Sequence, residues 1–508
     1  MATAIAITAS ILGVDAHVIE VEADVSIGLG AFNIVGLPDG PIRESKDRIT
    51  AAVNNSGAGF PIKKVIVNLA PADLPKGGTG FDLPMALAIL EASEKLPQKS
   101  LKEYLIVGEL SLEGKLRAVN GVLAMALAAK KAGIKAMIVP KKSAPAASLV
   151  QGVAIFPAAS LNEVLDHLNG YNMIQPYVGQ GNITEPPPIL LDFADVKGQN
   201  TAKRSLEIAA AGRHNLLFSG PPGSGKSMLA KRLSGILPPM SFSECLETTK
   251  IHGIAGRLSP DEEHLQLRPF QSPHHSVSGA GLIGGGTIPK PGEVSLAHNG
   301  VLFLDELPEY PRQILDLLRQ PLEDKKVTIS RAKESLTFPT DFVLIAAMNP
   351  CPCGYLGDSV KSCRCPQAQV ERYRTKVSGP LMDRIDMQVE MPALSYEEMN
   401  FSKQGESSLD IRERVLKARA VQELRFGDDA SYNANMSHKE VEKYCALNES
   451  GHKLLKSALT KHRLSGRAHD SILKVSRTIA DLSGEETIQL HHLAESISYR
   501  CLDKEVNY

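Results

Sequence analysis

The sequence predicts an α/β fold built on a parallel sheet and followed by a small all-α domain. Three observations carry that expectation. Between residues 201 and 347, near-continuously apolar short runs alternate with helical ones, the pattern of parallel strands buried on both faces. A glycine-rich segment, Gly220-Pro221-Pro222-Gly223-Ser224-Gly225-Lys226-Ser227, stands between an apolar run and a helix. From about residue 405 the strand signals stop and amphipathic helical segments follow one another.

In chain order, residues 17–23 and 64–68 read as strands and 81–94 as a helix. Residues 104–110 read as a strand, 121–131 as a helix and 136–140 as a strand, giving a mixed α/β domain over 1–168. Residues 169–189 are rich in Gly, Asn, Gln and Pro, lack an apolar period and read as a linker whose Pro186-Pro187-Pro188 end is extended. A core over 190–400 then holds a helix at 201–211, a strand at 215–219, a helix at 226–233 and strands at 301–304 and 342–347. Helices at 411–424, 439–446, 453–462, 470–482 and 488–500 make up a C-terminal domain over 401–508.

Composition sets outer bounds. The chain has 508 residues with 56 Lys+Arg against 57 Asp+Glu, a net charge of -1 that argues against coating nucleic acid or membrane by bulk charge. Trp is absent and aromatics are 5%, too few for extensive base-stacking platforms. No apolar stretch reaches the roughly 18 residues of a membrane span. Residues 1–14 are mildly apolar without a basic stretch and do not read as a signal peptide. Seven cysteines in a long chain of this kind point to a reducing compartment, and the expected location is the cytoplasm.

Residues 220–227 match G-x-x-x-x-G-K-[ST] in full. Glycines let backbone N–H groups close around phosphate oxygens, and the following helix N-terminus adds its dipole. Lys226 is placed to reach the β/γ-phosphates of ATP, and the Ser227 hydroxyl to ligate Mg²⁺. About 80 residues on, Val301-Leu302-Phe303-Leu304 leads into Asp305-Glu306. Asp305, at the end of a buried strand, would hold Mg²⁺, and Glu306 would deprotonate the attacking water, so hydrolysis is expected rather than binding alone. The next buried strand ends at Asn349, which would position that water.

Together these features resemble an AAA+ ATPase with a three-layer core and a helical lid. More narrowly, His274-His275, Leu282-Ile283-Gly284-Gly285-Gly286, Pro291-Gly292-Glu293, Leu296-Ala297-His298-Asn299-Gly300 and Leu304-Asp305-Glu306-Leu307-Pro308-Glu309 resemble the Mg-chelatase-like YifB/ComM family along essentially the whole chain. The resemblance implies a role in integrating DNA during natural transformation, through helicase or branch-migration activity. It also implies a homohexamer in which Arg384, within Gly379-Pro380-Leu381-Met382-Asp383-Arg384-Ile385-Asp386, reaches a neighbour's site as an arginine finger. The competing reading of Arg384 is a structural ion pair with Asp383 or Asp386. Ser465-Gly466-Arg467-Ala468 resembles the second sensor, with Arg467 near the γ-phosphate.

Two insertions are candidates for contact with single-stranded or branched DNA. Residues 252–298 hold Arg268, His274, His275 and Lys290, and residues 322–340 hold Lys325, Lys326, Arg331 and Lys333 in an alternating run expected to form a hairpin. Six copies of such a hairpin around a pore would follow a phosphate backbone; a solvated hairpin is the plainer reading. Cys351-Pro352-Cys353 and Cys363-Arg364-Cys365 supply four thiolates suited to a closed tetrahedral Zn²⁺ site, with a reactive thiol cluster as the alternative.

Pro75-Lys76-Gly77-Gly78-Thr79-Gly80-Phe81-Asp82-Leu83 and Gly108-Glu109-Leu110-Ser111-Leu112-Glu113-Gly114-Lys115 resemble the Lon protease domain, an S5-like α/β fold. The resemblance puts the nucleophile position on Gly80 and the base position on Leu123, so the N-terminal domain is expected to lack proteolytic activity. Lys76 and Lys115 read there as phosphate contacts or as plain surface residues. The main alternative to a DNA motor is a magnesium-chelatase-type ATPase subunit that remodels a protein partner.

Overall fold

The computed structural model describes residues 3–179, 189–259, 262–286, 289–330, 335–358, 361–393, 405–428, 431–462, 464–500 and 502. It divides into two compact units. The first is Met1–Thr184 together with Phe242–Leu265 and Ser330–Thr337; the second is Glu185–Ser241, Gln266–Ile329 and Phe338–Tyr508.

In the first unit, β1 (Thr3–Leu12) pairs antiparallel with β2 (Asp15–Ser26), in register from Thr3 opposite Asp24 to Leu12 opposite Asp15. Next come β3 (Ala31–Val35), helix α1 (Gly40–Asn55), β4 (Lys64–Ala70) and the wholly buried helix α2 (Asp82–Ala92). Then follow β5 (Tyr104–Ile106), α3 (Val122–Lys131), β6 (Ala136–Pro140) and β7 (Ala154–Ala158). The seven strands lie in the order β3-β4-β2-β1-β5-β6-β7. The single strand expected over 104–110 is two pieces, because Gly108 turns its backbone elsewhere. Its N–H donates to Gly80 O and its carbonyl accepts from Leu83 N, both at 3.0 Å, tying this point to the start of α2. Glu109–Leu110 then pairs with Leu116–Arg117 in a small ribbon.

Helix Phe242–Ile254 belongs to this unit although it lies beyond the glycine-rich loop in sequence. Leu246 packs into the cluster holding Val122, Leu123 and Met125, Gly121 N donates to Gly253 O (3.1 Å), and Lys250 pairs with Asp15 (3.1 Å).

The second unit holds helix α4 (Asn200–Gly212), β8 (Leu216–Ser219), helix α5 (Lys226–Ile236), β9 (Phe270–Gln271), β10 (Val301–Leu304), β11 (Val343–Met348) and β12 (Met387–Glu390). Its five strands run all parallel in the order β9-β10-β11-β8-β12. The apolar residues of β8, β10 and β11 face helices on both sides, as the unbroken hydrophobic runs required. Helices α6 (Ser408–Phe426), His438–Tyr444, Glu449–His462, α7 (Gly466–Ser483) and Leu490–Ser498 follow. Lys326–Ser330 and Ser335–Pro339 form the expected two-stranded ribbon. Among the described residues, no helix is long and apolar enough to cross a membrane.

Candidate active site

Strand β8 is fully buried between β11 and β12, and the glycine-rich loop leaves its C-terminal end. Gly220 admits no side chain there, since a Cβ would stand 2.3 Å from Met391 O. Gly223 and Gly225 take φ of +80° and +91°, left-handed backbone that L side chains rarely adopt, and Gly225 hands the chain directly to α5. Lys226 is buried beneath the loop. Its Nζ donates to Gly220 O (2.6 Å), Pro221 O (2.8 Å) and Asn349 Oδ1 (3.3 Å). Burial pulls its ammonium down to about 8, against the opposing charges of Asp305 and Glu306.

Strand β10 ends at Asp305, whose Oδ2 accepts from Ser227 Oγ at 2.5 Å. The hydroxyl and the carboxylate therefore share one point, an oxygen donor set suited to Mg²⁺, beside a helix N-terminus suited to phosphate. Glu306, exposed and at φ +53°, donates its N–H to Asp305 Oδ1 (2.9 Å). Its carboxylate lies 3.7 Å from His275 Nδ1, and the His275 ring packs edge-on to Tyr310, 6.3 Å between centroids. The structure thus gathers Lys226, Ser227, Asp305, Glu306 and Asn349 at the C-terminal edge of one sheet. His275 is an added neighbour of Glu306. The sequence singled it out in an insertion and in a family-like motif but not as a partner of Glu306, because no local spacing ties it to a residue some 30 positions away.

Arg384 and Arg467 are elsewhere. Asn215, at the opposite end of β8, accepts through its O from the Asp386 and Met387 N–H groups (3.0 Å each), and its Nδ2 donates to Arg384 O (2.9 Å). Arg384 therefore sits at the N-terminal edge, separated from the glycine-rich loop by the four residues of β8, roughly 13 Å of strand. Arg467, in the first turn of α7, is on the same edge: the preceding Ser465 bonds Asp383, and Arg467 Nη2 donates to Glu323 Oε1 (3.2 Å). Arg384 binds the other oxygen of Glu323. One expectation is corrected here. The ion-pair partner of Arg384 is Glu323 rather than Asp383 or Asp386, while Arg467 lies on the edge away from its own chain's phosphate loop, which leaves its reading as a second sensor to a neighbouring copy.

A family described as "Magnesium chelatase, subunit ChlI" matches residues 192–399, with further matches to "Subunit ChlI of Mg-chelatase" at 21–143 and to the ChlI C-terminal family at 405–500. The competence protein ComM of Haemophilus influenzae is 46% identical over 507 residues, covering 99% of this chain and 98% of that one. The chain belongs to the ComM/YifB family of Mg-chelatase-like AAA+ ATPases. The uncharacterized protein YifB of Escherichia coli is 42% identical over 505 residues, 99% of this chain and 98% of that one. Lon protease 2 of Bacillus subtilis is 32% identical over 149 residues, 28% of this chain and 26% of that one.

In this ComM/YifB member the N-terminal unit carries Gly80 in the tight turn Thr79–Phe81 and Leu123 inside the core, at the positions the Lon resemblance gives to nucleophile and base. Lys76, read from sequence as a phosphate contact or surface residue, is 1% exposed and donates to Pro71 O. Lys115 is exposed and paired with Glu113. Among the DNA-contact candidates, Lys290 and Lys326 are exposed, and Arg331 and Lys333 lie outside the described residues. Lys325 is half-buried and paired with Asp341 (3.4 Å), and Arg268 is buried, donating to Pro238 O, Pro239 O and Asn299 O. Arg268 is thus withdrawn from the surface that a DNA contact requires.

The four loop cysteines converge. Cys351 Sγ lies 3.4 Å from Cys353 Sγ and 3.6 Å from Cys363 Sγ, Cys353 Sγ is 3.6 Å from Cys363 Sγ, and all four sulfurs fall within 4.8 Å of one another.

Proposed function

We propose that the protein is a ring-forming, ATP-hydrolysing motor that acts on DNA, as a helicase or branch-migration enzyme in the integration of DNA during natural transformation. One observation carries the ring: Arg384 and Arg467 share the sheet edge opposite their own phosphate loop. Both guanidiniums are then free to serve a site only when another copy presents its C-terminal edge to them. Head-to-tail repetition of that contact closes into a ring, here a homohexamer in the cytoplasm. The DNA role is supported by the full-length likeness to a competence protein.

For the hydrolytic step, Ser227 and Asp305 are the residues that would hold Mg²⁺, which would supply charge neutralisation on the phosphates. Lys226 leaves the carbonyls of Gly220 and Pro221 to meet phosphate oxygens. Glu306 takes the proton of a water oriented by Asn349 as that water's oxygen bonds to the γ-phosphorus and the bond to the β–γ bridging oxygen breaks. Arg384 and Arg467 of the next copy stabilise the charge on the γ-phosphoryl oxygens. The four-cysteine cluster is read as a Zn²⁺ site, and the N-terminal unit as a non-proteolytic Lon-like domain.

The test is ATP turnover with and without a branched DNA junction, together with ATP-dependent migration of that junction. Glu306→Gln should retain ATP while turnover falls at least about 100-fold, and Lys226→Ala should lose nucleotide binding. The ChlI family matches favour a second reading, a chelatase-type subunit acting on a protein partner. Turnover that no DNA stimulates at low salt would select that reading over the first.

A further inference from the structure

The cysteine loop is joined to the hydrolytic edge at three points. Cys351 follows two residues after Asn349, so the first thiolate and the water-positioning residue share one short segment. The loop then turns at Gly354, at φ +84°, where a Cβ would come 2.6 Å from Pro222 Cδ. The loop thus rests directly on the phosphate loop. After Cys365 the chain enters helix Gln367–Arg374, whose Arg374 Nε donates to Pro350 O (3.3 Å).

The sulfur geometry states what the cluster would hold. Four thiolates about 2.3 Å from one Zn²⁺ are about 3.8 Å apart at the corners of a tetrahedron, close to the 3.4–3.6 Å found. A disulfide needs about 2.05 Å between two sulfurs, far shorter than these separations. The Cys365 N–H also points at Cys363 Sγ (3.4 Å), an outer contact that orients this sulfur.

Resting on that reading of the cluster, we propose that Zn²⁺ acts as a strut of the ATPase site. By joining segments 351–354 and 363–365, the metal sets Asn349 from one side and Pro222 of the phosphate loop from the other, so that occupancy of the cluster controls nucleotide turnover. Asn349 is the residue acted upon; the cysteines are positioning residues that touch no substrate.

The experiment uses the full chain. Zinc content is measured by mass spectrometry, and the Co²⁺-substituted protein is examined for the thiolate charge-transfer band of a tetrahedral four-sulfur set. Turnover and affinity for a fluorescent ATP analogue are then compared before and after zinc is stripped by a chelator that spares Mg²⁺, and after zinc is restored. One zinc per chain is expected, with turnover falling roughly tenfold or more on stripping and recovering on restoration. Gly354→Ala keeps all four ligands but pushes the loop off Pro222; it should retain zinc and still lose turnover. Absence of zinc and of the cobalt band would overturn the cluster reading and the strut with it. Zinc present, with turnover and affinity unmoved both by its removal and by Gly354→Ala, would overturn the strut alone and leave the metal site standing.

Discussion

Two guanidiniums on one carboxylate make Glu323 the most informative residue outside the hydrolytic edge. Arg384 and Arg467 come from different elements, yet they take opposite oxygens of the same side chain. The Arg467 half of that contact is solvent-exposed, and an exposed ion pair is worth under about 1 kcal/mol, so a neighbour's phosphates would displace it readily. If both arginines act across subunits, Arg384→Ala and Glu306→Gln should each be nearly inactive alone but complement when mixed. In randomly mixed rings about a quarter of the interfaces combine an intact Glu306 with an intact Arg384. ATPase recovery toward that fraction on mixing checks the prediction; no recovery would place the arginines' action within one chain. The two arginines were legible in sequence because each lies in a recognisable short segment. Glu323 was not, since it matters only through two long-range contacts.

At the scale of the element, the parallel sheet decides which residues can cooperate. Its C-terminal edge collects three loops with hydrolytic residues, and its N-terminal edge is tied by Asn215 and Asp386. Asp386 accepts from the Asn215 N–H (3.1 Å) and from Ser471 Oγ (2.7 Å), linking β8, β12 and α7. Burial alone would push its carboxyl up, but His214, Ser471 and the Asn215 N–H outweigh burial and hold it below the usual range. A carboxyl depressed in the fold contributes stability above its unfolded value of about 3.9 and loses it as pH falls through the lower folded value. Asp386→Asn should therefore cost about 2 kcal/mol at neutral pH, and the gap from wild type should narrow in acid. Denaturant midpoints at pH 7 and pH 3 measure both.

The long apolar strands of this sheet were legible because burial on both faces writes an unbroken hydrophobic run. Strand β1 was not, because Thr3–Leu12 draws on Ala, Thr and Ser, whose period-2 signal is faint. Helix α1 was missed for a related reason: its core face is only Ile42, Ile49, Ala52 and Val53. A start signal was nonetheless present in Asp39, whose side chain caps Ile42 N (3.0 Å), with Pro41 in the first turn.

Over the whole molecule, the two units do not follow one another in sequence. The first draws Phe242–Leu265 and Ser330–Thr337 from within the stretch that otherwise forms the ATPase core. Boundaries placed along a line could not reveal this, because periodicity reports that a helix has an apolar face but not which core receives it. A chain beginning at residue 190 would carry helix Phe242–Ile254 without the partners of Leu246. It should bind a hydrophobic dye and aggregate where the full chain does not, as light scattering would report.

The same threading bears on how the protein is made. Its first unit holds residues made well before the ATPase core and yet includes a segment ending at Thr337. At ~5–20 residues per second, that last segment appears about 8–30 s after residue 184 has been synthesised. Through that interval the nascent N-terminal half waits, incomplete, for its own closing pieces, a window in which a chaperone has something to hold.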